Sequence, residues 1–327
     1  MEHDPLAPST PPAGTPPAGT PPAGTPPAGT PPAGTPPEVT VVIPAFNEEE
    51  GIGETLDTLL ASTTPGARTF EIVVVDDGSS DNTAQMAARP GVRVLRHKRN
   101  RGYGAALKTG VLGARGEIVA FYDADNQFDP ADLHKVVNEL ENVDAVLGNR
   151  TAESHTPFSR RGGKRLLGWL ANYLARQKIP DLNCGLRAMR RDLLLEYLHL
   201  WPQGFSASTT TTLVLLKEGY DVSFVPVTVK KRLGTSSVKI FRDGFNTVLL
   251  IIRLTTLLDP FRVFIPAAIL LFFAGLAWGV RYMIEGAGLS VAALFLMVSG
   301  VNIFFFGLLA DQIAALRRER RYSPLRR

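Results

Sequence analysis

The chain has 327 residues, of which 45% are hydrophobic and 20% charged, so it has room for one large domain with an appendage. Its single cysteine, Cys184, excludes an internal disulfide framework and is typical of a reducing, cytosolic environment. The formal net charge is +4, and six arginines in the final eleven residues exceed that surplus. The basicity is therefore local and does not by itself indicate nucleic-acid binding.

Residues 1–37 form a proline-rich tail. They hold 14 of the 25 prolines and repeat TPPAG five times from Thr10 to Gly34. Five residues cannot form a unit that buries itself, so the repeat does not indicate a solenoid. Pro-Pro steps favour polyproline II and Ala-Gly steps loosen it, which predicts a disordered spacer. A ligand for a proline-binding module is the alternative, and the composition of the tail does not indicate a secretory signal.

Residues 38–240 alternate apolar strand patterns with helix patterns. A strand is predicted in VTVVIPAFNE (39–48), with a helix in EEEGIGETLDTLLAS. The next strand is predicted at 70–75, and its helix should begin at Ser80 or Asp81. VRVLRH, GYGAALKTGVLGA and GEIVAFYDADNQ continue as strand, helix and strand. Wholly apolar strands that alternate with helices predict a parallel sheet covered on both faces.

Polar side chains follow three of these predicted strands. They are Asn47 and Glu48, Asp76 and Asp77, and Asp123 and Asp125. Because ligands bind beyond the carboxyl ends of parallel strands, we expect these side chains to share one edge of the sheet. Carboxylates suit Mg²⁺ or Mn²⁺, and Mg²⁺ normally shares its ligand shell with substrate phosphates. The sequence therefore predicts a site for a metal ion and a diphosphate, in which Asn126 and Asp129 are not ligands.

Other patterns in this segment are less specific. No GxxxxGK[ST] pattern occurs, so the sequence does not predict a P-loop NTPase. The glycines of GYGAALKTG indicate tight helix packing more than phosphate binding, although Lys108 on that helix could reach a phosphate. His97 and His134 are expected at the surface, and Cys184 is expected to be a small structural residue.

Two uncharged runs follow, with eighteen residues between Arg262 and Arg281 and twenty-five between Glu285 and Asp311. Crossing a bilayer takes roughly 20 apolar helical residues, so we expect two transmembrane helices in 261–316 with a loop at Arg281–Glu285. A buried hairpin of a soluble protein is the alternative. Basic residues flank both outer ends of the hairpin. The positive-inside rule therefore predicts an integral protein of the cytoplasmic (inner) membrane with its main domain and both termini cytosolic.

The flanks of the hairpin have their own patterns. Phe245, Val248, Leu249 and Ile252 recur at helical spacing, so residues 241–260 are predicted to form an amphipathic juxtamembrane helix at the membrane surface. Residues 317–327 (RRERRYSPLRR) are predicted to be a basic cytoplasmic tail.

Five segments occur in a specific order within 39–240: VVIPAFNEE, VVVDDGSSDNT, NRGYGAALKTG, DADNQ and GNR. Through this set the chain resembles the family-2 glycosyltransferases. With DLNCGLRAMRRDLL, VPVTVKKRLGTSSVK and the C-terminal hairpin, it is most similar to polyprenyl-phosphate hexosyltransferases such as dolichol-phosphate mannose synthases and bacterial undecaprenyl-phosphate glucosyltransferases. The resemblance implies an α/β GT-A domain, Rossmann-like and mostly parallel, over 38–240. It also implies hexose transfer from GDP-mannose or UDP-glucose to undecaprenyl or dolichyl phosphate, for cell-envelope glycosylation.

The resemblance also assigns roles to single positions. The family's DXD motif, which is metal-binding and takes Mg²⁺ or Mn²⁺, corresponds to Asp123, Asp125 and Gln127. The nucleotide-sugar site is expected to comprise Pro44, Ala45, Phe46, Glu48, Val75, Asp76, Asp77, Lys108, Asp123, Ala124, Asp125 and Gln127. The acceptor-phosphate site is expected to comprise Arg150, Arg161, Arg165, Arg232 and Lys239, with Arg160 and Lys164 nearby. The catalytic set is Asp123, Asp125, Arg150, Arg232 and Asp181, with Asp181 in a positioning role.

The chain departs from the family pattern at several points. R-x-x-G-x-S-K reads RLGTSSVK, so Ser237 stands where a lysine is expected, and Lys239 is an open replacement. The missing Q-x-x-R-W disfavours a processive polysaccharide synthase. FSASTTTTLVLL carries no acidic residue where many relatives have a catalytic base. A phosphate monoester is already anionic at pH 7 and needs no base, whereas a hydroxyl acceptor does. We therefore predict one in-line displacement with inversion, giving a β-linked product from an α-linked donor.

Two other functions remain open at this stage. One is a membrane glycosyltransferase that uses a glycolipid or other hydroxyl acceptor, and the other is a non-catalytic membrane scaffold. The alternative for Arg232 is that it is only a membrane-flanking charge, and the alternative for the cluster at 160–165 is a solvated or lipid-headgroup face. The expected partners are a nucleotide-diphosphate sugar, a polyprenyl phosphate and the membrane, without nucleic acid, and a homo-oligomer is open.

Overall fold

A computed structural model describes residues 36–63, 68–150, 172–173, 178–204 and 206–230 of the N-terminal part of the chain. At the C-terminal end it describes residues 248–249, 252–253, 255–286, 288 and 290–321. The proline-rich tail up to residue 35, half of the predicted juxtamembrane helix and several predicted phosphate ligands lie outside the described residues. These ligands are Arg160, Arg161, Lys164, Arg165, Arg232 and Lys239.

A seven-stranded sheet organises the N-terminal domain. Its strands are β1 Val39–Ala45, β2 Phe70–Asp76, β3 Val92–Arg96, β4 Ile118–Phe121, β5 Ala145–Arg150, β6 Arg187–Arg190 and β7 Val222–Val227. They lie in the order β3-β2-β1-β4-β6-β5-β7. The first four are parallel, β6 is antiparallel to both β4 and β5, and β7 is parallel to β5. The predicted mostly parallel α/β sheet is therefore confirmed.

Helices connect the strands and cover both faces of this sheet. They are α1 Glu49–Thr63, α2 Thr83–Ala87, α3 Tyr103–Gly113, α4 Pro130–Glu139, α5 Arg191–Tyr197 and α6 Ala207–Glu218. Alternate residues of β1 serve two hydrophobic cores: Val42 packs with α3 and α6 residues, and Val41 packs with α1 and α4 residues. Burial on both faces explains why β1 is apolar except at Thr40.

Strand β4 ends at Phe121 and the acidic residues follow it in a turn, as predicted, whereas one predicted boundary differs from the structure. Helix α2 begins at Thr83, later than Ser80 or Asp81. The Asp81 carboxylate accepts a hydrogen bond from the backbone N–H of Thr83 at 3.0 Å, and also one from the backbone N–H of Glu49 at 3.2 Å. Asp81 thus bonds to the first residues of both α1 and α2, so it precedes α2 and the helix begins two residues later.

The C-terminal part is a hairpin of α7 Phe261–Ile284 and α8 Val291–Arg321. Both helices are long and apolar enough to cross a membrane by length and composition. Helix α7 continues through Arg281, so the connection begins later than the predicted Arg281–Glu285 loop. A Cβ atom at Gly275 would lie 2.8 Å from the Ala293 carbonyl, and one at Gly300 would lie 2.8 Å from the Ala268 carbonyl. Small residues therefore let the two helices pack closely, as in membrane helix pairs.

The hairpin is attached to the N-terminal domain at the start of α7. Lys217, at the end of α6, pairs with Asp259 at 2.8 Å. The Arg262 guanidinium lies 5.4 Å from the centre of the Tyr173 ring, a cation–π contact, and also donates to the Tyr173 carbonyl. Leu258 packs against the hydrophobic core of the domain.

Candidate active site

The turn after β4 carries the acidic motif and is fixed by its surroundings. The Thr55 hydroxyl of α1 donates to the Ala124 carbonyl at 3.1 Å. A Cβ atom at Gly51 would lie 3.0 Å from the same carbonyl, so α1 contacts this turn directly. Asp125 is 5% exposed and Asp123 is half-buried. The two carboxylates are therefore held in a turn that is packed against a helix.

The far end of the turn is tied to the segment after β7. The Gln127 amide donates to the Lys230 carbonyl at 3.1 Å, and the Lys230 N–H donates back to the Gln127 carbonyl at 2.9 Å. Asn126 adopts φ +56, a left-handed conformation that asparagine tolerates. Asp129 caps α4 by accepting from the Ala131 N–H at 2.9 Å. These local structural roles agree with the omission of Asn126 and Asp129 from the predicted ligands.

The donor chemistry of this turn fits a hard divalent cation that is shared with a diphosphate. Among the described residues, no group of three or more His, Cys, Asp or Glu side chains could hold a metal ion. The turn offers two carboxylates, on Asp123 and Asp125, and an amide oxygen on Gln127. Mg²⁺ is usually bound by one or two carboxylates together with substrate phosphates, so two carboxylates suffice for such a site.

Asp76 and Asp77, at the end of β2, are buried and engaged with protein groups. Asp76 pairs with the Arg96 guanidinium at 2.8 Å and accepts from the Ser79 N–H at 2.9 Å. Asp77 lies 2.6 Å from His97 Nδ1 and accepts from the N–H groups of residues 101 and 102 at 2.9 and 2.7 Å. Asp77 thus organises the turn before α3, and its predicted contact with base or ribose stays a prediction.

The end of β1 presents an aromatic surface beside these carboxylates. Phe46 is 37% exposed, whereas Pro44 and Ala45 are buried in the strand. The Ala45 carbonyl accepts from the Asp77 N–H at 2.8 Å, and the Glu48 N–H donates to the Thr83 hydroxyl at 2.9 Å. The loops after β1 and β2 are therefore joined by hydrogen bonds of the residues close to Phe46. Val75 and Ala124 are also buried, so they can offer a ligand little beyond backbone atoms.

Arg150 and Asp181 form a two-pronged ion pair. Arg150 Nε and Nη2 donate to the Asp181 carboxylate at 2.6 and 2.9 Å. Burial disfavours the charged form of both side chains, but the ion pair outweighs it. The ion pair raises the pKa of Arg150, and together with the hydrogen bond from the Asn183 N–H it lowers the pKa of Asp181. Within the described part of the chain, no hydrogen bond engages Arg150 Nη1. Asp181 thus holds a guanidinium in one orientation with one edge available to a further anion.

The serine- and threonine-rich start of α6 carries no carboxylate and supports this pair. The Thr209 hydroxyl donates to the Asn183 side chain, and Thr212 donates to the Leu182 carbonyl at 3.4 Å. Arg187, which is 1% exposed, donates to the Cys184 carbonyl at 3.0 Å and to the Ser208 carbonyl at 3.0 Å. The 181–184 loop is therefore fixed from beneath by buried polar groups.

The glycines of NRGYGAALKTG are packing glycines, as predicted. Gly102 has φ +98, and a Cβ atom there would lie 2.5 Å from the Gln203 carbonyl. A Cβ atom at Gly104 would lie 2.2 Å from the Pro202 carbonyl. The start of α3 is thus pressed against residues 202–204. Lys108 is half-buried on α3, and burial lowers its pKa.

Several residues of the site were not recognised from the sequence. The surface prediction for His97 is wrong: it is 8% exposed and contacts Asp77 and, at 2.8 Å, the Thr109 hydroxyl. His134 is half-exposed, and its Nε2 lies 3.2 Å from the Ser62 carbonyl. Tyr103, whose hydroxyl lies 3.4 Å from Asp123, and Arg187 were also missed. The two glycines that flank Tyr103 indicate a tightly packed position, whereas nothing in the sequence distinguishes a buried arginine from an exposed one.

Sequence comparison finds similarity over both parts of the chain. The family described as "Glycosyl transferase family 2" matches residues 40–198, and "GtrB C-terminal hairpin" matches residues 259–316. An uncharacterized glycosyltransferase of Mycobacterium bovis is 40% identical, over 48% of this chain and 70% of the relative. The undecaprenyl-phosphate 4-deoxy-4-formamido-L-arabinose transferase of Edwardsiella ictaluri is 28% identical over 88% of this chain and 91% of that protein.

Structural comparison finds the same fold in a solved enzyme. The glucosyl-3-phosphoglycerate synthase of Mycobacterium tuberculosis, crystallised with Mn²⁺, UDP and glucosyl-3-phosphoglycerate, superposes with a TM-score of 0.54. The match covers 66% of this chain and 79% of that one, at 20% sequence identity. The similarity extends over the sheet domain, so the α/β architecture is a GT-A-like fold.

Proposed function

Because the chain belongs to glycosyltransferase family 2, we propose that it transfers a hexose from a nucleotide-diphosphate sugar to a polyprenyl phosphate, in one metal-dependent displacement with inversion. The acceptor class is supported by the Edwardsiella relative, whose name specifies undecaprenyl phosphate and whose length this chain nearly matches. The C-terminal hairpin supports it further, because a lipid acceptor requires an enzyme at the membrane.

The observation that carries this proposal is the Arg150–Asp181 pair on the same site as the acidic turn. Asp181, which pairs with Arg150, is four residues before Gly185, and a Cβ atom at Gly185 would lie 2.1 Å from Asp123 Oδ2, so the segment that holds Arg150 also borders the turn. An arginine fixed by a carboxylate on one edge is suited to hold a phosphate on the other. Arg150 would therefore hold the acceptor phosphate beside the donor, and Arg161, Arg165, Arg232 and Lys239 are proposed to join it.

On the donor side, Asp123, Asp125 and Gln127 would hold Mg²⁺ or Mn²⁺. When bound, the metal neutralises charge on the diphosphate leaving group. The neighbouring surface of Phe46, Glu48 and the end of β2 would receive the nucleoside. The likeness to a GT-A protein solved with Mn²⁺ and UDP supports a divalent ion in this fold.

The reaction would be a single exchange of bonds at the anomeric carbon. An oxygen of the acceptor phosphate forms a bond to that carbon as the bond to the donor diphosphate breaks, and the nucleoside diphosphate leaves with the electron pair. The acceptor oxygen is already anionic at neutral pH, so no protein base is required. The start of α6 agrees with this scheme, because residues 207–217 carry no acidic side chain that could act as a base.

The orientation in the membrane belongs to the same proposal. Nucleotide sugars are made in the cytosol, and basic residues flank both outer ends of the hairpin, so the catalytic domain and both termini would be cytosolic. The protein would then be an integral protein of the cytoplasmic membrane, with residues 38–240 as the catalytic domain.

The test is lipid-linked product formation by the full chain in membranes. We would supply a panel of radiolabelled nucleotide sugars with undecaprenyl phosphate, extract the lipid phase and measure label in polyprenyl-phosphate sugar. We expect one donor to give labelled lipid with Mg²⁺ or Mn²⁺ and none with EDTA. Label that reaches a glycolipid hydroxyl or a polymer, and never polyprenyl phosphate, would overturn the proposed acceptor. Equal transfer with EDTA would overturn the metal role.

A further inference from the structure

Tyr103, the first residue of α3, contacts the acidic turn of a different strand. Its hydroxyl lies 3.4 Å from Asp123 Oδ1, and the Ser208 side chain of α6 interacts with the same hydroxyl. A tyrosine hydroxyl carries its proton at neutral pH, so it can donate to the carboxylate.

The other side of the same carboxylate is bounded by a glycine. A Cβ atom at Gly185 would lie 2.1 Å from Asp123 Oδ2, so the space that the carboxylate occupies exists because residue 185 has no side chain. Gly185 belongs to the loop that Arg187 fixes through the Cys184 carbonyl. Asp123 is therefore confined between a hydroxyl donor and a backbone wall.

Tyr103 is itself held in place by the acidic end of β2. Asp77 accepts from the N–H groups of Arg101 and Gly102, the two residues before Tyr103, at 2.9 and 2.7 Å. His97 bridges from Asp77 to Thr109, which lies nearly two turns further along α3. The carboxylate after β2 thus sets the start of the helix whose first side chain reaches the carboxylate after β4.

We propose that Tyr103 is a positioning residue, whose hydroxyl orients the Asp123 carboxylate toward the metal ion and the donor diphosphate. Asp77 and His97 act through it by holding the turn that presents Tyr103. The inference rests on the proposed function, because it takes Asp123 as a ligand of the metal–diphosphate complex. It adds a link between two acidic strand ends that would otherwise be independent.

The experiment measures Mn²⁺ affinity of the full-length chain purified in detergent, by the electron paramagnetic resonance signal of free Mn²⁺. Tyr103→Phe removes only the hydroxyl. Tyr197→Phe is the matched control, because its hydroxyl contacts Tyr220 at 3.3 Å in the core, outside the described site. Asp123→Asn gives the effect of losing the ligand itself. Thermal unfolding of each variant is recorded in parallel.

We expect Tyr103→Phe to weaken Mn²⁺ binding roughly tenfold, as for loss of a hydrogen bond to a charged group. Tyr197→Phe should leave Mn²⁺ binding unchanged, and Asp123→Asn should abolish it. Ser208→Ala keeps the ring in place and should weaken binding by a smaller factor. It provides the test if Tyr103→Phe reduces the yield of folded protein.

The outcomes separate this inference from the proposed function. Wild-type affinity in both Tyr103→Phe and Ser208→Ala, with loss in Asp123→Asn, would overturn the positioning role and leave the metal site intact. An equal loss in Tyr197→Phe would show a general effect of hydroxyl removal and would also overturn it. Absence of Mn²⁺ binding by the wild-type chain would overturn the metal-dependent function, and this inference with it.

Discussion

Charged side chains in this site are held by specific partners before any substrate arrives. Asp181 is fixed on Arg150, Asp76 on Arg96, and Asp77 on His97. The partners of Asp181 and Asp77 supply hydrogen bonds, and Arg96 supplies an opposite charge, which compensate for the loss of water around the carboxylates. The side chains that remain for ligands therefore stand in a rigid polar frame, which reduces the reorganisation required during transfer.

The Arg150–Asp181 pair gives the first prediction. Asp181→Asn leaves the half-buried guanidinium without its counter-charge, and we expect a loss of about 1–3 kcal/mol in the free energy of unfolding. Because the pKa of Asp181 is lowered in the folded chain, this contribution is complete above about pH 4 and is lost as pH falls through the folded pKa. Denaturant unfolding of both proteins at pH 7 and at low pH checks the difference.

The same variant should impair transfer, with a higher KM for the polyprenyl phosphate, since Arg150 loses its orientation. Asp144→Asn is the control, because Asp144 pairs with the exposed Arg190 at 3.0 Å beyond the opposite ends of the strands. An exposed ion pair contributes about 0–1 kcal/mol to stability. Because this pair also lies away from the site, transfer activity should be unchanged. Unaltered acceptor kinetics in Asp181→Asn would contradict the role of Arg150.

The acidic turn gives a second prediction, because two of its carboxylates have different roles. Asp125→Ala should abolish sugar transfer with little change in stability. Asp129→Ala removes the cap of α4 and should cost about 1 kcal/mol of stability while activity remains. Transfer assays and thermal unfolding on the two variants check this contrast. Equal activity of both would exclude Asp125 from the metal site.

At the scale of elements, the site depends on how closely α3 approaches the 202–204 segment. Gly102 and Gly104 allow backbone to touch backbone there, and the helix start carries Tyr103 into the site. On the other side, α1 approaches the acidic turn through Gly51 and Thr55. Two helices from opposite faces of the sheet therefore define the geometry of the carboxylates.

Gly104→Ala tests this contact. Its Cβ atom would lie 2.2 Å from the Pro202 carbonyl, so the helix must shift, and we expect a loss of about 1–3 kcal/mol in stability. Transfer activity should also fall. Gly204→Ala lies on the other side of the same contact but meets no atom within 4 Å, so it should be near neutral. Thermal unfolding and transfer rates compare the pair, and similar losses in both would contradict the packing argument.

The elements and the acidic edge could be predicted because they depend on short-range patterns. The apolar run 39–45 and the helix spacing after it identify β1 and α1, and the parallel order brings Asp77 and Asp123 to one edge. The partners of those carboxylates could not be predicted, because His97 and Tyr103 meet them through the packing of α3. The antiparallel β6 was likewise missed: only four residues long, it lies between β4 and β5, which sequence separation does not reveal.

At the scale of the whole molecule, the sheet domain and the hairpin are joined where α6 ends and α7 begins. Lys217 and Asp259 pair at 2.8 Å, and Arg262 contacts Tyr173. The segment after β7, which leads toward the hairpin, is tied to the acidic turn by Gln127 and Lys230. The acidic turn is thus linked to the segment that precedes the two apolar helices in the sequence.

The orientation of the hairpin gives the last prediction. In a Cys184→Ser background, Glu285→Cys places one thiol at the connection between α7 and α8, and Ser323→Cys places one in the basic tail. A membrane-impermeant maleimide should label the first in intact cells and the second only after permeabilisation. The physical reason is that basic flanks remain cytosolic while the short connection crosses. Labelling of Ser323→Cys in intact cells would place the catalytic domain away from its nucleotide-sugar supply, and cytosolic transfer would then be excluded.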